Sequence, residues 1–164
     1  MAVDSSNNIF VPYTIGTGGG QSYVAAIAKY NSSGTLVWST SYGTNTTSNP
    51  NYINGVAVDS SGNVYGVGYA SGVGGSGLNG LILKFDSTGA LLWQRVLLVG
   101  SGYQIRLFGC AVDSSGNLLM NGHGFFSGIT YTTTPYLAKI NSSGTMQWQR
   151  GLTPSGTEIG RAHV

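Results

Sequence analysis

Charged side chains are scarce in this chain. Asp, Glu, Lys and Arg make up 7% of its 164 residues, and the formal net charge is only +2. So small a positive balance predicts neither nucleic-acid binding nor attraction to an anionic membrane surface. With five acidic residues in all, a pair of catalytic carboxylates is hard to assemble. The composition therefore argues against a hydrolase and favours a protein that is not an enzyme.

Cysteine, histidine and long apolar runs are scarce as well. Cys110 is the single cysteine, which excludes an internal disulfide and a multi-cysteine metal site. Neither of the two histidines, His123 and His163, has a neighbouring Cys or a paired acid, so we predict no metal site and no cofactor. No run of about 18 apolar residues occurs, and no membrane span is expected. The first residues also lack the pattern of a secretory signal.

What the chain has in quantity is glycine and a long internal repeat. The 27 glycines and a hydrophobic fraction of 41% are typical of many short strands joined by tight turns. The motif Ala-Val-Asp-Ser-Ser occurs three times, with its aspartate at Asp4, Asp59 and Asp113. A second motif ends in tryptophans spaced 55 residues apart, Trp38, Trp93 and Trp148. A period of this length indicates a repeat architecture.

The middle repeat shows what one unit contains. Its apolar stretches predict four strands: Tyr52–Val58, Val64–Tyr69, Leu78–Phe85 and Leu91–Leu98. Tight turns are predicted at Asp59–Gly62 and Asp86–Gly89, because Asp bonds forward to the backbone and Gly accepts a positive φ. No segment keeps a 3.6-residue apolar period, which is the pattern of an amphipathic helix.

Four antiparallel strands in each repeat of about 50 residues are typical of a β-propeller blade. We therefore predict an all-β, single-domain chain of three four-stranded blades, at approximately 1–51, 52–105 and 106–164. A solenoid is the competing interpretation, although solenoid coils are usually shorter and do not carry two tight turns each.

The two motifs resemble those of a known repeat family. The segment Gly-Val-Ala-Val-Asp-Ser-Ser-Gly-Asn-Val-Tyr, at 55–65, and the segment Lys-Phe-Asp-Ser-Thr-Gly-Ala-Leu-Leu-Trp, at 84–93, are similar to the bacterial SBBP-type β-propeller repeat. The resemblance covers all three repeats and implies a propeller fold in a virion, secreted or cell-surface protein. Family chains usually carry enough repeats to close a ring, whereas this one carries three. Pro12 falls inside the second strand of the first repeat, where proline is expected at an edge or a bulge.

Three blades are too few for a closed propeller, which takes roughly four to eight. Two bare end faces would cost on the order of 10 kcal/mol each, so we expect a homodimer in which two copies form a six-bladed ring. The register further predicts that Glu158–Val164 pairs beside Ile9–Tyr13 of the neighbouring copy, so that the terminal strand is exchanged. Arg106 and Arg161 would then recur around the central channel. The alternative is that the chain is a fragment of a longer propeller.

The segments that differ between repeats are the places to look for a ligand site. They are the loops between second and third strands, at 16–21, 70–77 and 125–135, and the connections between repeats, at 42–54, 100–106 and 153–161. Both kinds lie at the same strand ends, so we expect them to share one rim. Aromatic residues of these segments are the predicted ligand-binding residues: Tyr42, Tyr52, Tyr103, Phe125 and Tyr131. Among neutral polar residues they favour neutral glycans as partners; the alternative is a purely structural protein without a small-molecule ligand.

Overall fold

In a computed structural model of the chain, the described residues are 1–17, 22–43, 51–71, 78–97, 103–126, 133–152 and 158–159. These residues form thirteen strands and no helix. In chain order the strands are β1 Ala2–Val3, β2 Ile9–Thr17, β3 Ser22–Tyr30, β4 Leu36–Tyr42, β5 Asn51–Val58, β6 Val64–Ser71, β7 Leu78–Phe85, β8 Leu91–Leu97, β9 Tyr103–Val112, β10 Leu118–Phe126, β11 Thr133–Ile140, β12 Met146–Leu152 and β13 Glu158–Ile159. The described part of the chain thus has no helix that could cross a membrane.

The strands form three antiparallel sheets, one for each repeat. Sheet 1 has the order β1-β2-β3-β4, sheet 2 has β5-β6-β7-β8, and sheet 3 has β9-β10-β11-β12 with β13 added at its outer edge. The predicted all-β class and the four strands per repeat are confirmed. The third predicted strand of the middle repeat, Leu78–Phe85, has the predicted bounds. The arrangement is consistent with propeller-like blades.

The tight turns form because an Asp or Asn side chain accepts hydrogen bonds from backbone N–H groups of the turn. In the first turn of sheet 2, Asp59 Oδ1 accepts hydrogen bonds from the backbone N–H of Ser61 at 3.0 Å and of Asn63 at 2.9 Å. Gly62 takes a φ of 81°, a conformation that suits glycine. Asn7 stands at the same position in sheet 1 with a φ of 60°, as expected for the residue that best tolerates this region after glycine.

Sheet 2 lies between the other two sheets and is buried on both faces. Its backward face, defined by Val64, Leu81 and Leu83, packs on sheet 1. Its forward face, defined by Tyr65, Val67 and Ile82, packs on sheet 3. The two sets alternate along β6 and β7 because successive side chains of a strand point to opposite faces. The same two names are used below for the equivalent positions of sheets 1 and 3, which lie 54 or 55 residues away.

The inner part of sheet 1 is shorter than that of sheet 2. Strand β1 pairs with β2 only at Ile9 and Phe10, whereas β5 pairs along the whole of β6 up to Ala70. Within the described residues, β2 beyond Phe10 therefore pairs on one side only, with β3. Pro12 lies in this one-sided part, where a strand tolerates a missing backbone N–H.

In the single chain the C-terminal strand pairs within its own sheet: Glu158 and Ile159 pair with Leu152 and Gly151 of β12. The exchange of this segment with a second copy stays a prediction. Residues 160–164, including Arg161, lie outside the described part of the structure.

Candidate functional site

The ends of the strands that carry the variable loops lie together in each sheet. Register places Tyr42 opposite Ala25 in sheet 1, Asn51 opposite Ala70 in sheet 2, and Tyr103 opposite Phe126 in sheet 3. The aspartate turns lie at the other end of the same strands. The predicted loops at 125–135, 42–54 and 100–106 are too long, because β10 continues to Phe126, β11 begins at Thr133, β5 begins at Asn51 and β9 begins at Tyr103.

Three tyrosines from two sheets meet at this loop end and form a tyrosine cluster: Tyr23, Tyr52 and Tyr69. Tyr52 and Tyr69 are cross-strand partners, and their rings stack with centroids 4.7 Å apart. The ring of Tyr23, from sheet 1, lies 5.3 Å from that of Tyr52. Aromatic pairs of this geometry contribute about 0.5–1.5 kcal/mol beyond the burial of their surface. The cluster therefore joins sheets 1 and 2 with half-buried rings.

Sheet 3 adds a positive charge to the tyrosine cluster. The guanidinium carbon of Arg106 lies 5.3 Å from the centroid of the Tyr69 ring, a cation–π contact. Burial raises the pKa of Tyr52 above its ordinary value, and the neighbouring Tyr69 and Tyr23 raise it further, while Arg106 opposes them. Tyr52 is consequently a neutral phenol at pH 7, able both to donate and to accept a hydrogen bond.

At the equivalent positions of sheet 3 the tyrosine pair is replaced by a histidine and an arginine. His123 of β10 is the cross-strand partner of Arg106 in β9. Burial lowers the pKa of His123, and the charge of Arg106 lowers it further, so the imidazole is neutral at pH 7. The ring of Phe108 lies 4.6 Å from that of His123. The loop end thus changes from stacked phenols in sheet 2 to a neutral imidazole beside a cation in sheet 3.

The predicted ligand-binding residues fall into four groups. Tyr52 belongs to the tyrosine cluster. Tyr42 packs against the core between sheets 1 and 2, and burial raises the pKa of its hydroxyl. Tyr103 and Phe125 lie in strands β9 and β10 and not in loops, but their side chains are outside the described part of the structure. Tyr131 lies outside the described residues altogether.

The sequence analysis did not identify three residues of the loop end as candidates: Tyr23, Tyr69 and, as a contact of the tyrosines, Arg106. Tyr23 and Tyr69 lie inside apolar strands, where an aromatic side chain usually packs in a core. A usable signal was present, because both stand within two residues of a strand end that borders a variable loop, Tyr69 before the loop and Tyr23 after it. The contacts themselves join residues of different repeats, which no local pattern reveals.

The aspartate carboxylates lie elsewhere. All four aspartates, Asp4, Asp59, Asp86 and Asp113, accept backbone hydrogen bonds within turns at the opposite end of the sheets. Within the described residues no group of three His, Cys, Asp or Glu side chains could hold a metal ion. Among the side chains that the structure describes, the loop end therefore presents rings, hydroxyls and a guanidinium, a set that can bind a ligand.

Comparison with protein-family models gives no match to this chain, and comparison with curated proteins gives no significant relative.

Proposed function

We propose that this protein is a non-enzymatic binding and assembly module that takes neutral glycans at the loop end of its sheets. The observation that carries the proposal is the tyrosine cluster, which places three rings from two sheets at the end where every variable loop begins. Function is commonly carried by loops held on a rigid scaffold. The stacked side chains of Tyr52 and Tyr69 lie on such a scaffold, because the paired strands β5 and β6 fix both rings.

Neutral glycans suit this surface for two reasons. Tyrosine offers an apolar ring face together with a hydroxyl, so one side chain can both pack on a sugar ring and hydrogen-bond to it. The four aspartates are committed to turns at the other end of the sheets, so none of them is placed to repel or hydrolyse a sugar there. Arg106 lies over the ring of Tyr69, where it holds that ring in place.

The module acts as a ring in this proposal. Two copies close head to tail into six blades, which is within the usual range for propellers and has the commonest oligomer symmetry. Support comes from the forward face of sheet 3. The equivalent positions of sheets 1 and 2 are buried by the next sheet, as at Ile27 and Ile82. Ile82 of sheet 2 is 0% exposed, while the equivalent Leu137 of sheet 3 is 50% exposed. In the ring, residues 158–164 would leave the edge of β12, where residues 158 and 159 pair in the single chain, and complete the inner strand beside β2 of the neighbouring copy.

The test is a screen of the purified protein on an array of neutral and acidic oligosaccharides, followed by calorimetry on any glycan that binds. Tyr52→Ala should weaken binding at least about tenfold, since a stacked aromatic hot spot contributes about 2 kcal/mol or more. Tyr52→Phe keeps the stack and serves as the matched control. Tyr103→Ala, at the loop end of β9, should weaken glycan binding without changing the melting temperature. Unchanged affinity in Tyr52→Ala at full stability would exclude this site.

The second candidate is a purely structural role in a virion or at a cell surface. It is favoured by the extent to which the repeat residues serve packing and turns, as with Asp59 and Trp93. If no oligosaccharide on the array binds, the structural role replaces the glycan proposal. Co-purification with particles or with the cell envelope would then be the supporting measurement.

A further inference from the structure

The two contacts between neighbouring sheets have the same arrangement: side chains of one sheet bind the second turn of the next sheet. These turns join the third and fourth strands and lie at Asn31–Gly34, Asp86–Gly89 and Asn141–Gly144. Between sheets 1 and 2, Trp38 Nε1 donates a hydrogen bond to the carbonyl of Ser87 at 3.1 Å. A Cβ on Gly89 would lie 3.0 Å from the ring of Trp38, so the indole lies directly over the turn glycine.

Sheets 2 and 3 repeat this contact with other side chains. Lys84 Nζ donates to the carbonyl of Ser142 at 3.1 Å, and Ser142 is the equivalent of Ser87. Arg95 Nη2 donates to the carbonyl of Ser143 at 3.3 Å, and a Cβ on Gly144 would lie 3.0 Å from Arg95 Nε. In both contacts the forward face of one sheet thus binds the second turn of the next sheet through its carbonyls and its glycine.

The second turn of sheet 1 has the same shape, but no such side chain from the described residues binds it. Asn31 Oδ1 accepts hydrogen bonds from Ser33 N at 3.0 Å and Thr35 N at 2.8 Å, and Gly34 has a φ of 79°. Within the described part of the chain, nothing lies within 4 Å of a Cβ built on Gly34. The sequence Asn-Ser-Ser-Gly is identical to that of the turn at 141–144, which is bound by sheet 2.

The forward face of sheet 3 carries the side chains that would bind such a turn. Arg150 lies over Trp148 at 6.0 Å and donates to the carbonyl of Gln149. Arg95 makes the same two contacts in sheet 2: it lies over Trp93 at 5.3 Å and donates to the carbonyl of Gln94. The face is therefore arranged like that of sheet 2.

Lysine shows the difference that a bound turn makes. Lys84, with a side chain 9% exposed, lies 3.9 Å from Asp59 and reaches across to the next sheet. The equivalent Lys139 is 24% exposed and lies 2.9 Å from Asp113. Without a turn in front of it, the ammonium group rests on the carboxylate of its own sheet.

The surfaces around these contacts are apolar on both sides. On the forward face of sheet 3 a concavity of about 330 Å³ is lined by Gly109, Leu119, Asn121, Leu137 and Trp148, among others. On the backward face of sheet 1, Tyr13 is 36% and Ile15 is 37% exposed. Ala70, the equivalent of Ile15 in sheet 2, is 0% exposed. Each face thus resembles one half of an internal contact between sheets.

We propose that the forward face of sheet 3 binds sheet 1 of a second copy of this chain, with the Asn31–Gly34 turn lying against Lys139, Trp148 and Arg150. The inference rests on the proposed ring and names the surface that closes it. Lys139 shifts from Asp113 to the carbonyl of Ser32 of the second copy, as Lys84 reaches Ser142. The contact forms twice in the ring, once at each junction between copies.

Light scattering tests the contact through the mass of the assembly, the chain having a mass of 17.0 kDa. We expect two chains for the unmodified protein and one chain for Leu137→Glu. Leu92→Glu is the matched control, because Leu92 is 51% exposed but belongs to sheet 2, which already has both neighbours. It should remain dimeric. A single-chain mass for the unmodified protein, a three-chain mass, or a dimer that survives Leu137→Glu would overturn the proposal.

A cross-linking experiment tests the turn itself. Two variants, both carrying Cys110→Ser, have one new cysteine each: Ser33→Cys in the first and Arg150→Cys in the second. A short bismaleimide should join the two variants in a mixture and neither variant alone. A mixture that stays unlinked while its mass remains that of two chains contradicts the turn contact but leaves the ring intact. Glycan binding is judged separately, by Tyr52→Ala, so the two proposals can fail independently.

Discussion

Asn54 Nδ2 donates a hydrogen bond to the backbone carbonyl of Leu107 at 2.7 Å, joining the innermost strands of sheets 2 and 3. Asn54 is the extra residue of a β-bulge in β5. Phe108, which follows Leu107, is the extra residue of the equivalent bulge in β9. The two bulges are adjacent, since a Cβ on Gly55 would lie 2.8 Å from the carbonyl oxygen of Phe108. Bulges turn side chains away from the ladder, and here one supplies a bond between sheets.

Replacing Asn54 by Ala should lower the free energy of unfolding by about 1 kcal/mol, because the Leu107 carbonyl loses its donor. Chemical denaturation measures the effect. Gln147→Ala is the control, since its hydrogen bond to Asn117 is exposed and 3.4 Å long. Equal stability losses in the two variants would argue against a special role for the bulge.

The aspartates of the first turns should differ in their contribution to stability. Asp59→Ala should cost about 2–4 kcal/mol, since it removes the turn hydrogen bonds and leaves the buried Lys84 without its carboxylate. Asp113→Ala should cost clearly less, because Lys139 is more exposed and can be solvated. Melting curves of the two variants make the comparison. An unchanged melting temperature in Asp59→Ala would contradict the scaffold role of this residue, as would reduced glycan affinity at full stability.

Stability should fall in acid because of the same turns. Hydrogen bonds from Asn117, followed by that from Lys139, hold the pKa of Asp113 well below its ordinary value, and the hydrogen bond from Thr88 lowers the pKa of Asp86. A carboxyl group with a lowered folded pKa stabilises the protein above its unfolded pKa, about 3.9. That contribution disappears as the pH falls through the folded value. Melting temperatures should therefore drop steeply below about pH 4, and less steeply in Asp113→Asn, whose side chain does not titrate.

Glycines of the second strands should differ sharply in their tolerance of a methyl group. A Cβ on Gly68 would overlap the carbonyl oxygen of Tyr52, whereas a Cβ on Gly16 would meet only the ring of Tyr23 at 3.8 Å. Gly68→Ala should destabilise the protein by about 3 kcal/mol, since the obstacle is backbone. Gly16→Ala should change stability by less than about 0.5 kcal/mol. Similar melting temperatures for both variants would contradict this packing.

The single thiol should react slowly in the folded protein. Burial raises the pKa of Cys110 to about 12, so little thiolate is present at pH 8. Its reaction with a disulfide reagent should be at least about 100-fold slower in the native protein than in denaturant, because the thiolate is the reactive form. Equal rates in the two conditions would show that the thiol is accessible.

The candidate site was only partly predictable. Tyr52 was found because it stands at a boundary between repeats, where the residues vary. Its partners Tyr23 and Tyr69 were overlooked because each is unremarkable within its own strand, and their proximity depends on how sheet 1 meets sheet 2. Tyr42 was predicted as a ligand residue on the same grounds as Tyr52, yet it packs against the core between the sheets.

The repeat, the turns and the strand pairing follow from the sequence because they depend on residues close along the chain. Asp59 and Gly62 specify a turn by local hydrogen bonding and a positive φ, and the turn sets the register of Val58 against Val64. Which face of a strand is buried, and against what, depends on contacts about 50 residues away. Only the tertiary structure shows that Leu137 is exposed where Ile82 is buried, although both occupy one position of the repeat. The two residues have the same local pattern, and the difference lies in whether another sheet packs in front of them.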